Sequence, residues 1–270
     1  QEFTLNKKRR NILLISEASA YTVALVALNQ LWYADYPKSS FHFINDNEAW
    51  LQMDKMGHMS ASYYTGVAGI KAYEWAGFSR KNAIWYGGMT GSIFLTVIEV
   101  LDGTSEEWGA SLGDLIANTT GSLLAIGQAL NWNEQKIQLK YSYSPSNIAI
   151  KNPEQLGSNH LERALKDYNG QTYWLTLNIK SLLQIENPYF PSWLSLALGY
   201  GADEMVNPYQ QAGDAERYRQ FLMSFDVDLN KIKTKNKTLN SVLHTFGFLK
   251  FPTPAIQYTN GNIFFHPIYY

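Results

Sequence analysis

The hydrophobic pattern of this 270-residue chain changes period once, near residue 133, and that change demands two kinds of structure. Before it, long apolar runs are separated by glycine, proline or polar clusters, which predicts helices over roughly 11–34, 48–76, 79–101 and 109–131. The first run, ILLISEASAYTVALVALNQLWY, is as long as the ~20 residues that cross a bilayer's hydrocarbon region, though it contains Glu17. Ser79 is placed to cap the third helix, and Asp102-Gly103 to stop it. The fourth opens at Ser111 and carries Gly113, Ala117, Gly121 and Ala125 at every fourth position, a stripe that permits close helix contact. A four-helix bundle follows. The first run favours a bundle set in a membrane; polar residues in the later helices and a negative mean hydropathy fit a water-soluble one.

After residue 133, stretches of about ten residues alternate between apolar and polar side chains: 137–144, 172–183, 193–201, 217–231 and 256–270. Asn260-Gly261 supplies a hairpin turn in the last of these. Five or six strands are too few for a single-chain outer-membrane barrel, which starts at about eight. The expected fold class is therefore α+β and membrane-associated. Residues 1–133 form an apolar four-helix bundle, and 134–270 an antiparallel β-rich region as a partial sheet or open barrel. The basic stretch 231–251 reads as either an amphipathic segment on a membrane surface or an ordinary surface helix or loop.

Composition excludes several functions. The chain has no cysteine, so it offers no disulfide framework, thiolate metal site, cysteine nucleophile or lipid-bearing cysteine. A formal net charge of −1 gives no field to attract nucleic acid. Charged residues make up 17% while aromatic ones reach 14%, including 18 Tyr and 8 Trp, a balance suited to membrane interfaces. The chain starts at Gln1, for which a removed signal peptide is the expected reason.

Six polar residues stand out in the apolar helices: Asp54 and His58, Glu99 and Asp102, Asp114 and Asn118. Each pair is spaced three or four apart and so shares one helix face; convergence of the faces would make a carboxylate-rich pocket with one imidazole. Ionisable groups in apolar helices are costly unless paired, hydrated or ion-bound. Three readings compete. In the first, Lys55 and His58 neutralise the carboxylates and Asn118 completes a polar network that fixes helix register. In the second, His58 binds a divalent metal with two or more of Asp54, Glu99, Asp102 and Asp114. In the third, His58 and a buried carboxylate, Asp54 or Glu99, perform acid/base catalysis on a lipid or glycan. Gly87-Gly88 and Gly91 lack a following Gly-Lys-Ser/Thr, so they read as packing glycines and not as a phosphate loop.

The stretches DKMGHMSASYY (54–64), EVLDG (99–103) and EEWGASLGDLIANTTG (106–121) resemble a bacterial family of unknown function catalogued as predicted periplasmic lipoproteins, domain of unknown function 2279. More distantly they are similar to the VanZ-like membrane family, with D-K-x-x-H on one helix and D-x-x-x-N-x-x-G on a later one. The resemblance covers about residues 50–130, and the strand-rich half looks like extensions seen in Bacteroidetes-type members. It implies Asp54, Lys55, His58, Glu99, Asp102, Asp114, Asn118 and Gly121 as motif positions, and no established activity.

These readings converge on an exported protein of the bacterial outer membrane with its helical part facing the periplasm. The expected role is non-enzymatic, as an accessory subunit of a larger complex such as outer-membrane protein assembly or export. Its expected partners are other outer-membrane proteins and the lipid bilayer. The alternative is a membrane-embedded metal- or His/carboxylate-dependent enzyme acting on lipid or cell-wall precursors.

Overall fold

A computed structural model describes residues 5–30 and 36–270. It is α+β, with helices in the N-terminal half and a six-stranded antiparallel sheet, not closed into a barrel, in the C-terminal half. Contacts divide the chain into two units, Gln1–Asn47 with Lys55–Glu134, and Glu48–Asp54 with Gln135–Tyr270.

The helical unit contains α1 (Lys7–Leu28), most of α2 (Met53–Trp75), α3 (Arg80–Asp102, with a π-helical turn at Ala83–Gly87) and α4 (Leu112–Asn131). The end predicted for the first helix, 31–34, lies outside the described residues. The caps explain the starts. Asn6 accepts from the Arg9 amide, Ser79 from Asn82, and Ser111 from Asp114. At the end of α2, Gly77 takes a positive φ of 86°, and the Phe78 amide returns to the Tyr73 carbonyl. Two short strands, β1 (Phe43–Ile44) and β2 (Ala110–Ser111), pair in parallel and hold the entry to α4.

Backbones approach one another where glycine allows it. A Cβ on Gly121 of α4 would lie 2.1 Å from the Met59 carbonyl oxygen, and one on Gly91 of α3 would lie 2.4 Å from that of Ser62. The buried stripe of α4 accordingly opens on small and polar residues, Asp114, Asn118, Gly121, Ser122 and Ala125, and continues through Ile126, Gln128 and Ala129. Its aliphatic residues Leu112, Ile116, Leu123 and Leu130 are exposed, as are Ile93, Val97 and Val100 of α3, and α1 buries none of its residues. Helices α1 and α3 are long and apolar enough to cross a membrane. Glu17, the acid within α1, receives a hydrogen bond from the Tyr73 hydroxyl at 3.1 Å, and Tyr21 stacks on Phe94 with ring centroids 4.7 Å apart.

The second unit is built on strands β3 (Ile137–Tyr143), β4 (Gln171–Asn178), β5 (Leu194–Asp203), β6 (Tyr218–Val227), β7 (Thr253–Thr259) and β8 (Asn262–Tyr269), paired in that order. Short helices at Asn147–Lys151, Pro153–Leu156 and His160–Lys166 fill the β3–β4 connection. Asn260 and Gly261 both take positive φ, 47° and 80°, as a tight hairpin between β7 and β8 requires. Within 231–251, the helical part is the nine-residue Lys237–Thr245. Trp50, Leu51 and Gln52 form an unusual left-handed run, with φ of 49°, 49° and 72°. The Tyr200 hydroxyl donates to the Leu51 carbonyl and the Trp50 amide to that of Pro208, holding the run in place.

Polarity on the sheet is inverted relative to a water-soluble one. One face buries Gln138, Lys140, Ser142, Thr176, Ser195, Ser224 and Asp226. Around them lies a small apolar cluster of Trp174, Ala197, Leu222 and Ala255, on which Tyr269 packs. Lys140 and Asp226 form a fully buried ion pair; Lys140 also donates to the Val227 carbonyl, and Asp226 accepts from the Phe251 amide. Lys250 lies over the Trp174 ring, 5.0 Å from its centroid. The opposite face exposes Leu198, Phe221, Met223, Phe225, Ile256 and Tyr258.

Candidate polar site in the helical unit

The N-terminus of α4 organises the site. Ser111, its N-cap, accepts from the Asp114 amide at 3.1 Å and donates from its hydroxyl to Asp46 Oδ1 at 2.5 Å. The Ser111 amide donates to Glu99 Oε2 at 3.0 Å, fixing the carboxylate near the C-terminus of α3. From the first turns of α2, Lys55 Nζ reaches Asp46 Oδ2 at 2.9 Å and Asp114 Oδ1 at 3.3 Å. One turn further, His58 Nδ1 lies 3.0 Å from Asn118 Oδ1 and 3.7 Å from Glu99 Oε1. Both neighbours are acceptors, so the network assigns the proton to Nδ1. Deeper still, Ser62 Oγ donates to the Asn118 carbonyl and lies 2.9 Å from Ser122 Oγ, which accepts from the Ser92 amide.

Three carboxyl groups thus gather around one ammonium and one imidazole. Glu99, Asp114 and Asn118 are buried, and Asn118 Nδ2 has no hydrogen-bond partner among the described residues. Burial by itself would raise the Asp46 carboxyl. The Ser111 hydroxyl and the Lys55 ammonium outweigh it and hold that carboxyl below the ordinary range.

Of the residues singled out in the sequence, Lys55, His58, Glu99, Asp114 and Asn118 come together here. His58, Glu99 and Asp114 present ligand atoms within 4.8 Å of one another, a donor set that suits a divalent ion. Competing with an ion are the Lys55 ammonium on Asp114 and the protonated nitrogen that His58 turns toward Glu99. Asp102 stays outside this group of ligand atoms. Asp54, half-buried, falls with the second unit. Asp46 and Ser62 belong to the network without having been singled out. Asp46 precedes α2 in a loop, where no periodicity marks it.

Residues 42–128 match the model of a family described as predicted periplasmic lipoprotein, DUF2279. No curated protein and no solved structure matches the chain. The DUF2279 match contains every residue of the polar network and stops before the sheet. The description carries no activity and points to the cell envelope.

Proposed function

We propose that this chain is a non-enzymatic outer-membrane protein, held in the bilayer through its helical unit and acting as an accessory subunit of a larger assembly. Assembly or export of outer-membrane proteins is the process it fits. One observation carries the reading: α1 buries none of its residues, and Ile93, Val97 and Val100 of α3 and Leu112, Ile116, Leu123 and Leu130 of α4 are exposed, while small and polar residues fill much of the contact between α2, α3 and α4. In water that arrangement forfeits the hydrophobic effect, whereas in lipid it costs nothing and lets helices associate through small residues and hydrogen bonds. In this reading the Lys55 and His58 network is a register lock, because every charged member already has a partner of opposite charge or a hydrogen bond within the unit. Affinity purification from envelopes at native expression level, in mild detergent, should recover stoichiometric larger proteins. Recovery of the bare chain would count against a subunit role.

A second reading has one observation in its favour, the approach of His58, Glu99 and Asp114. It makes the site a metal- or His/carboxylate-dependent centre acting on lipid or cell-wall precursors. Elemental analysis of the purified protein beside a His58→Ala variant separates the two. A stoichiometric metal lost in the variant favours the enzyme, and metal-free protein in both favours the lock.

A further inference from the structure

The register of the sheet aligns its exposed face into layers. Going along the strands, the first layer pairs Ala202 with exposed Arg219. The next is aromatic: Tyr200 beside Phe221, Phe221 beside Tyr258, ending on Ile263. The third is aliphatic, running Leu175, Leu198, Met223, Ile256 and ending on Phe265. The fourth pairs Leu196 with Phe225. Arg219 Nε donates to the Tyr200 hydroxyl at 3.1 Å, tying the charged layer to the aromatic one.

Charge, then aromatic rings with hydroxyls, then hydrocarbon is the order met on passing from headgroups into a bilayer. A water-facing sheet has no use for that order, and its polar face would point outward, whereas here the polar face is internal and its buried charges are paired. From the aromatic layer to the fourth is four residues, about 14 Å at ~3.4 Å per residue, close to one leaflet's half of a ~30 Å hydrocarbon core. The β3–β4 end of the same face is covered by the unit itself: Leu139 and Tyr173 are buried, and the Tyr141 hydroxyl donates to the Ala164 carbonyl in the helix His160–Lys166. The positions left open are therefore Leu198 of β5 and the apolar and aromatic residues of β6 to β8.

Resting on the proposed membrane location, we infer that the exposed face of β5–β8 is a lipid-contact surface seated in one leaflet. Met223, Phe225, Ile256 and Phe265 lie among acyl chains, Tyr258 lies at the interface, and Arg219 sits among anionic headgroups.

The absence of native cysteine makes single-site spin labelling direct. Met223→Cys, Ile256→Cys and Arg219→Cys variants of the full chain, each carrying a nitroxide, would be reconstituted in phosphatidylcholine/phosphatidylglycerol vesicles and checked by flotation. Accessibility to oxygen and to a water-soluble nickel chelate is then measured. Seating in lipid makes the labels at 223 and 256 open to oxygen and shielded from nickel, with the order inverted at 219. Floating protein whose label at 223 meets nickel as freely as that at 219 overturns the inference, and the proposed location stands. Floating protein whose labels at 223 and 256 are shielded from both reagents also overturns it, because protein then covers the face. Protein that does not float removes the location and the inference together.

Discussion

Lys55 is the residue on which the polar network turns, because its single ammonium serves two carboxylates from different segments of the chain. Replacing it by Met leaves Asp46 and Asp114 facing each other with no cation. Breaking one side of a buried charge pair costs about 3–5 kcal/mol, so Lys55→Met should markedly lower the unfolding temperature in detergent. Asp46 gives the network a pH dependence. Its folded-state carboxyl is held below the unfolded value of about 3.9, so its contribution is fully present above that value and is lost as pH falls through the folded-state one. Below about pH 4 an unfolding-temperature series should show a decline that Asp46→Asn reduces. At this scale, the spacing of His58, Glu99, Asp114 and Asn118 was readable because each lies on a periodic helix whose apolar neighbours make a polar residue conspicuous. Asp46 was not readable, since its role depends on a loop being brought to the α4 N-cap, and nothing in NDNE marks that.

Glycines set how closely α2, α3 and α4 approach, and two of them provide an internal comparison. At Gly121 a methyl group would meet the Met59 carbonyl at 2.1 Å, so Gly121→Ala must push α2 and α4 apart and should destabilise by about 1–3 kcal/mol. At Gly127, on the same helix, a Cβ would meet nothing within 4 Å, and Gly127→Ala should be neutral or stabilise by about 0.5–1 kcal/mol through helix propensity alone. Thermal unfolding of the two variants side by side reads out packing against propensity. The every-fourth-residue stripe already marked Gly121 and Ala125 as contact positions, and Ser79, Ser111 and Asn260-Gly261 marked their caps and turn. The short helices between β3 and β4 had no such signal, since four to seven residues carry too little periodicity to separate helix from loop. The left-handed run Trp50–Gln52 was equally hidden, because tertiary hydrogen bonds from Tyr200 and to Pro208 hold it.

Over the whole molecule, each unit leaves long apolar side chains exposed, Ile116 and Leu123 in one and Phe225 and Ile256 in the other, while burying charged ones such as Glu99 and Asp226. Alternation in 217–231 shows that a strand has an apolar and a polar face but is silent on which one faces the interior. That needed the register and the buried Lys140–Asp226 pair. Length and apolarity likewise suggested a membrane for α1, and the exposed aliphatic faces of α3 and α4 extend the suggestion to the helical unit. Seating in the membrane is tested by alkaline carbonate extraction of envelopes from cells expressing the full chain. A chain embedded in lipid stays in the membrane pellet after the wash and is released only by detergent; release into the carbonate supernatant would show that it is not embedded.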